Sequence, residues 1–142
     1  MRGAKASLAA GVPGAAKGKI AVTSQFLTAP PGGDVFDASA GVTLQVASGD
    51  GANSLVAWSA ADCSTATTGR IRCRSVDGTA IATFRPDASG GWKMTTVIGQ
   101  LELAAPLSGP IFVRVQHGAG IDRTAVLLSC TGSPTKVRCT LP

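Results

Sequence analysis

The sequence predicts an all-β fold, a sandwich of about 8–9 antiparallel strands, and three observations carry the prediction. Apolar residues recur with period two in many short segments. Turn-forming clusters of Gly, Pro, Asp, Asn and Ser separate these segments at near-regular intervals. Only 15% of the residues are charged and Glu102 is the single glutamate, a composition unlike that of helices with charged outer faces. At 142 residues with 44% apolar content, the chain is long enough for one core. A domain of this size buries roughly 68–70% of the surface its unfolded chain exposes.

Residues 1–18, "MRGAKASLAAGVPGAAKG", are small and turn-rich and read as an N-terminal arm, flexible or docked on a sheet edge or a neighbouring subunit. Gly11, Pro13 and Gly14 interrupt any apolar run there, so the stretch does not read as a complete export signal. The β-sandwich domain is expected over 19–142. In "KIAVTSQF" (19–26), Ile20, Val22 and Phe26 share one face while Lys19, Thr23 and Gln25 share the other. The same alternation marks 41–48, 54–60, 69–76, 78–86, 91–99, 110–118, 122–130 and 135–142 as strands. Turns are expected at "PPGGD" (30–34), "SGDGAN" (48–53), "PDASGG" (86–91) and "HGAG" (117–120). No apolar run approaches the ~18 residues of a membrane-spanning helix.

The two halves of the chain resemble one another. Ser39 to Gly51 aligns with Ser108 to Gly120, placing Val42, Leu44 and Val46 on Ile111, Val113 and Val115. "TGRIRC" closes the first half as "TKVRC" closes the second, so an internal duplication is one reading; shared strand periodicity without duplication is the other.

Each half carries one cysteine pair, Cys63 with Cys73 and Cys130 with Cys139. Structural zinc sites bring cysteines in pairs about 2–4 residues apart, and redox or haem motifs need CxxC, so these spacings disfavour a metal or redox role. A hairpin accounts for them better: Ile71 and Cys73 share one strand face, as do Val137 and Cys139. Local pairing within each hairpin is the expectation, although four cysteines permit three pairings and a bridge between the halves remains open. Paired cysteines imply an extracellular, cell-surface or periplasmic location; the alternative is four reduced, buried thiols in the cytosol.

The net charge of +5 favours anionic partners without choosing among them. Arg70, Arg72 and Arg74 form a ladder on one strand face, and Lys136 with Arg138 forms a second. If they converge, guanidinium forks suit phosphate or sulfate oxygens; the competing role is protection of an exposed sheet edge. Four Phe, two Trp and no Tyr leave little for base stacking, which disfavours specific nucleic-acid binding. His117 is the only histidine and reads as a solvated turn residue. The aspartates fall mostly in turns, where the side chain bonds its own backbone; "GGDVFD" offers oxygen ligands but matches no calcium-loop spacing. Trp58 and Trp92 read as core residues rather than a sugar-stacking platform. Neither a catalytic constellation nor a cofactor or metal motif is legible.

The stretch from "CRSVDGTAIATF" through "GGWKM" to "LELAAPLSGPIFVRV" resembles the immunoglobulin-like β-sandwich modules of uncharacterised secreted bacterial surface proteins. The resemblance spans about 18–142. It implies an immunoglobulin-like sandwich and structural or adhesive work at a cell surface, as a fibre-type assembly subunit or module. The expected partners are then further copies or other surface-protein subunits, engaged by strand addition through residues 4–18 or the sheet edges. The alternative expectation is a binding module for an acidic glycan or other polyanion, using the Arg ladder.

Overall fold

The computed structural model describes residues 1–27 and 35–142, with no side-chain description for Leu27. The expected turn at 30–34 therefore lies outside the described residues, as does Asp34. The described chain forms two antiparallel sheets packed as an all-β sandwich. Its strands are β1 (Arg2–Ala9), β2 (Gly18–Leu27), β3 (Val42–Ser48), β4 (Asn53–Trp58), β5 (Cys63–Thr65) and β6 (Ile71–Arg74). The second half contributes β7 (Ala80–Pro86), β8 (Gly91–Leu101), β9 (Ile111–His117), β10 (Ile121–Leu127), β11 (Ser129–Ser133) and β12 (Lys136–Thr140). The large sheet has the order β11-β12-β1-β2-β8-β7-β6-β5, and the small sheet the order β10-β9-β3-β4.

Among the described residues twelve strands replace the expected eight or nine, for identifiable reasons. The segment 122–130 does not form one strand: β10 ends at Leu127 in the small sheet, and the chain crosses to begin β11 in the large one. That crossing lets Cys130 stand opposite Cys139. β5 is a three-residue edge strand, too short for periodicity to reveal.

Residues 2–9 are docked, but in the interior of the large sheet rather than at an edge. β1 pairs with β2 on one side and β12 on the other, and buries Ala4, Ala6 and Leu8. Two alanines on the inward face made this strand hard to tell from a turn-rich arm. No boundary separates it from the sandwich: Leu141 N–H donates to Ala4 C=O at 2.9 Å, tying the two chain ends together.

The strand order has two-fold symmetry. Strands β1 to β6 correspond in turn to β7 to β12, the large sheet reads the same from either edge, and β2·β8 and β3·β9 are the central pairs. The aligned stretches of the two halves thus become adjacent strands, with Leu44 opposite Val115 and Val46 opposite Val113. The hairpin joining β6 to β7 has its counterpart where β12 meets β1, at the chain ends.

One row of cross-strand partners traverses the large sheet: Cys130, Cys139, Ala6, Val22, Thr96, Ala82, Cys73, Cys63. Its six inner members are almost fully buried, and a disulfide closes each end, Cys63–Cys73 and Cys130–Cys139. Both pairings are the local ones. The protein packs tightly at one of these ends: a Cβ on Gly109 would collide with Cys130 Sγ and lie 2.9 Å from Cys139 Sγ, so only glycine fits. Around Phe36, the rings of Phe26, Phe84 and Trp92 stand with centroids 5.5, 4.8 and 5.0 Å away, forming the aromatic part of the core.

Removing the first bridge with Cys63→Ser and Cys73→Ser together should lower stability by roughly 2–3 kcal/mol, the chain-entropy value for a loop of about ten residues. Urea unfolding checks this; an unchanged midpoint would mean that the bridge only decorates the hairpin. A second expectation concerns Asp50, whose carboxylate accepts from Ala52 N–H at 3.0 Å, from Ser108 N–H at 2.7 Å and from the Ser48 hydroxyl. Partial burial opposes its ionisation, but these three donors outweigh burial and hold the carboxyl below its ordinary value. A depressed folded-state value contributes stability above the unfolded pKa and loses it as pH falls through the folded one. Asp50→Asn should therefore cost about 1 kcal/mol near neutral pH, and the difference from wild type should vanish in acid, as followed by thermal melts across pH.

Candidate functional site

An antiparallel sheet packed on one side must carry its polar residues on the other, because successive side chains alternate between faces. In the large sheet the inward set includes Leu8, Ile20, Val22, Phe84, Met94 and Ile98, all buried. The outward set is of one charge sign. Its strands contain nine cations, Arg2, Lys5, Lys19, Arg72, Arg74, Arg85, Lys93, Lys136 and Arg138, all exposed, and no Asp or Glu.

Between the cations lie hydroxyls and small side chains. One outward row runs Thr140, Lys5, Thr23, Thr95, Thr83, Arg72. Its neighbour runs Arg138, Ser7, Ala21, Val97, Ile81, Arg74. Beyond the first of these, Arg2, Gln25, Lys93 and Arg85 form a third. No aromatic side chain of these strands points outward: Phe26 and Phe84 are buried, and Trp92 packs on Phe36.

The two cation groups singled out by the sequence share this face without converging. Arg72 and Arg74 lie on β6 with Arg70 just before it, while Lys136 and Arg138 lie on β12. Five strand spacings separate β6 from β12, roughly 24 Å at about 4.8 Å each. Each group stands one strand in from an edge, so edge protection does not explain it. The cations between them, Arg2, Lys5, Lys19, Arg85 and Lys93, belong to no motif. The signal that could have found four of them is the alternation itself, the polar phase of a period-two strand; Arg2 faces outward only because the register shifts between it and Lys5.

The carboxylates are spent elsewhere. Asp37, Asp62, Asp77 and Asp87 accept backbone N–H bonds from Ser39, Ser59, Thr79 and Ser89, as expected of turn aspartates. Hydrogen bonds from Ser39, from Ser59 and from Ser75 with Thr79 hold the carboxyls of Asp37, Asp62 and Asp77 below their ordinary values. On the small sheet Asp122 pairs with Arg114, whose Nε donates at 2.9 Å. This pair lowers the carboxyl and raises the guanidinium, so two of that sheet's three charges cancel, leaving Arg123 as its net charge. Among the described residues, none of the nine cations on the large sheet makes an ion pair.

His117 is not a solvated turn residue. It continues the inward series Ile111, Val113, Val115 and is only 6% exposed, its ring 5.1 Å from Phe36 and its Nε2 3.5 Å from an Asp37 oxygen. Neither ring nitrogen has a hydrogen-bond partner among the described residues. Trp58 is 2% exposed and donates Nε1–H to Ala80 C=O at 3.4 Å, so no tryptophan platform faces outward. Among the described residues no His, Cys, Asp or Glu cluster is arranged to hold a metal ion, and no helix is long and apolar enough to cross a membrane. Comparison with protein-family models, with curated proteins and with solved structures finds no match to this chain.

Proposed function

We propose that this protein is a non-catalytic, extracytoplasmic β-sandwich module that binds an acidic glycan on the outer face of its large sheet. The observation that carries the reading is the segregation onto one sheet face of nine cations, with no carboxylate on its strands and no ion pair among the described residues. Cations on neighbouring strands and alternate residues stand within about one Debye length of each other, so their fields add. Thr and Ser hydroxyls between them supply donors to sulfate or carboxylate oxygens. The lack of outward aromatics on that face leaves nucleic-acid bases nothing to stack on there. Two disulfides fit an oxidising compartment.

The test is retention on a heparin matrix. Exposed charge pairs are worth roughly 0.5 kcal/mol each, so Lys5→Ser, Lys19→Ser and Lys93→Ser combined should weaken binding by about tenfold. A control carrying Thr43→Glu, Gln45→Glu and Thr124→Glu removes the same net charge through the small sheet and should elute near wild type. Equal losses in the two variants would reject the face and leave only net charge.

A second reading, a structural subunit of a surface assembly, draws on a different observation. β4 pairs with β3 on one side only, carries no charge and no proline, and exposes Leu55 at 66%. Such an edge lacks the usual guards against strand addition. The N-terminal segment cannot serve as the donor, since β1 is already paired on both sides. The occupant would be β4 of a second copy, joining two small sheets across a two-fold axis. Light scattering should then find a dimer that Leu55→Lys converts to monomer; a wild-type monomer at high concentration sinks this reading.

A further inference from the structure

Six of the ten cations on the face of the large sheet follow the two-fold symmetry of its strands. Cys139 and Cys73 occupy equivalent places in the traversing row, as do Val22 and Thr96. Counting one and three residues back from the cysteines matches Arg138 with Arg72 and Lys136 with Arg70. Counting three back from the central pair matches Lys19 with Lys93. Three cation positions are therefore duplicated outright.

The two halves of the face also balance. On the β12-β1-β2 side stand Lys136, Arg138, Arg2, Lys5 and Lys19, five exposed cations. On the β8-β7-β6 side stand Lys93, Arg85, Arg70, Arg72 and Arg74, again five and all exposed. Between Lys19 and Lys93 the middle of the paired strands β2 and β8 presents Ala21, Thr23, Thr95 and Val97, a stretch without charge. The basic face thus consists of two basic patches related by the two-fold axis around an uncharged centre.

We infer that these patches are two equivalent half-sites, so that one long acidic glycan spans both while short oligomers occupy each separately. This rests on the proposed glycan-binding reading and specifies its geometry. The half-sites are related by rotation about an axis normal to the sheet, so a long chain meets the three duplicated cation positions whichever way it runs. Bridging both patches makes the second contact intramolecular, at an effective concentration near millimolar, which multiplies affinity roughly 10²-fold or more over a single patch.

The experiment is isothermal titration of the full chain with size-defined heparin oligosaccharides, one series shorter than the roughly 24 Å between β6 and β12 and one longer. Two short oligomers should bind per chain with similar affinity, against one long oligomer bound roughly 10²-fold more tightly. Arg70→Ser with Arg72→Ser, and separately Lys136→Ser with Arg138→Ser, should each reduce the short-oligomer stoichiometry from two to one. Each should also bring the long oligomer down toward short-oligomer affinity. All four substituted residues are exposed, and matching melting curves check that the fold is kept. One short oligomer per wild-type chain, or an affinity that rises smoothly with length, would overturn the half-sites while leaving glycan binding intact. No binding of either series would overturn the glycan reading itself, and tighter capture of a single-stranded oligonucleotide of equal charge would replace the glycan as ligand.

Discussion

The structure depends on one continuous register across the large sheet. Side chains alternate along each strand, so slipping any strand by one residue would bring its buried set to solvent and carry its cations into the core. The row from Cys130 to Cys63 fixes that phase on all eight strands at once. Its ends are the vulnerable points: β5 has three residues and β11 five, too few to hold a register by pairing alone. The disulfides lock those ends, and Gly109 leaves room for one of them. Small residues fill the inner row at Ala6 and Ala82, letting the facing layer approach.

Charge follows from the same constraint. Once the phase is set, every Lys and Arg on the eight strands must face outward, while the aspartates serve the turns that reverse the chain. Cations on strands and carboxylates at turns therefore separate in space without any local motif. The result is a broad one-signed face opposite a small sheet whose Arg114 and Asp122 neutralise each other. A broad basic surface of this kind is the basis of the proposed extended ligand.

Two-fold symmetry makes this arrangement economical. A half-length pattern of six strands, used twice, builds both sheets and places each half's disulfide at an opposite edge. The symmetry is looser in detail: Ser7 and Thr83 are equivalent, as are Lys5 and Ile81, so hydroxyl and charge positions have diverged while register has not.

By itself the sequence determined the β class, the positions of most strands and the turn roles of most aspartates, and made local cysteine pairs the expectation, because each rests on contacts within a dozen or so residues. Period two reveals a strand wherever large apolar side chains mark the inward phase, as in Ile20, Val22 and Phe26. Where alanines mark it instead, as in β1, or where the strand is as short as β5, the signal fades. His117 could have been placed by extending the series Ile111, Val113, Val115 by one step, but its turn-like neighbours Gly118 and Gly120 pointed outward. Only the tertiary structure decided which strands are neighbours, because that choice depends on pairings between residues as distant as Lys5 and Thr140. That order keeps the Arg70 to Arg74 ladder and the Lys136 with Arg138 pair apart, and joins them through cations of four intervening strands into one face.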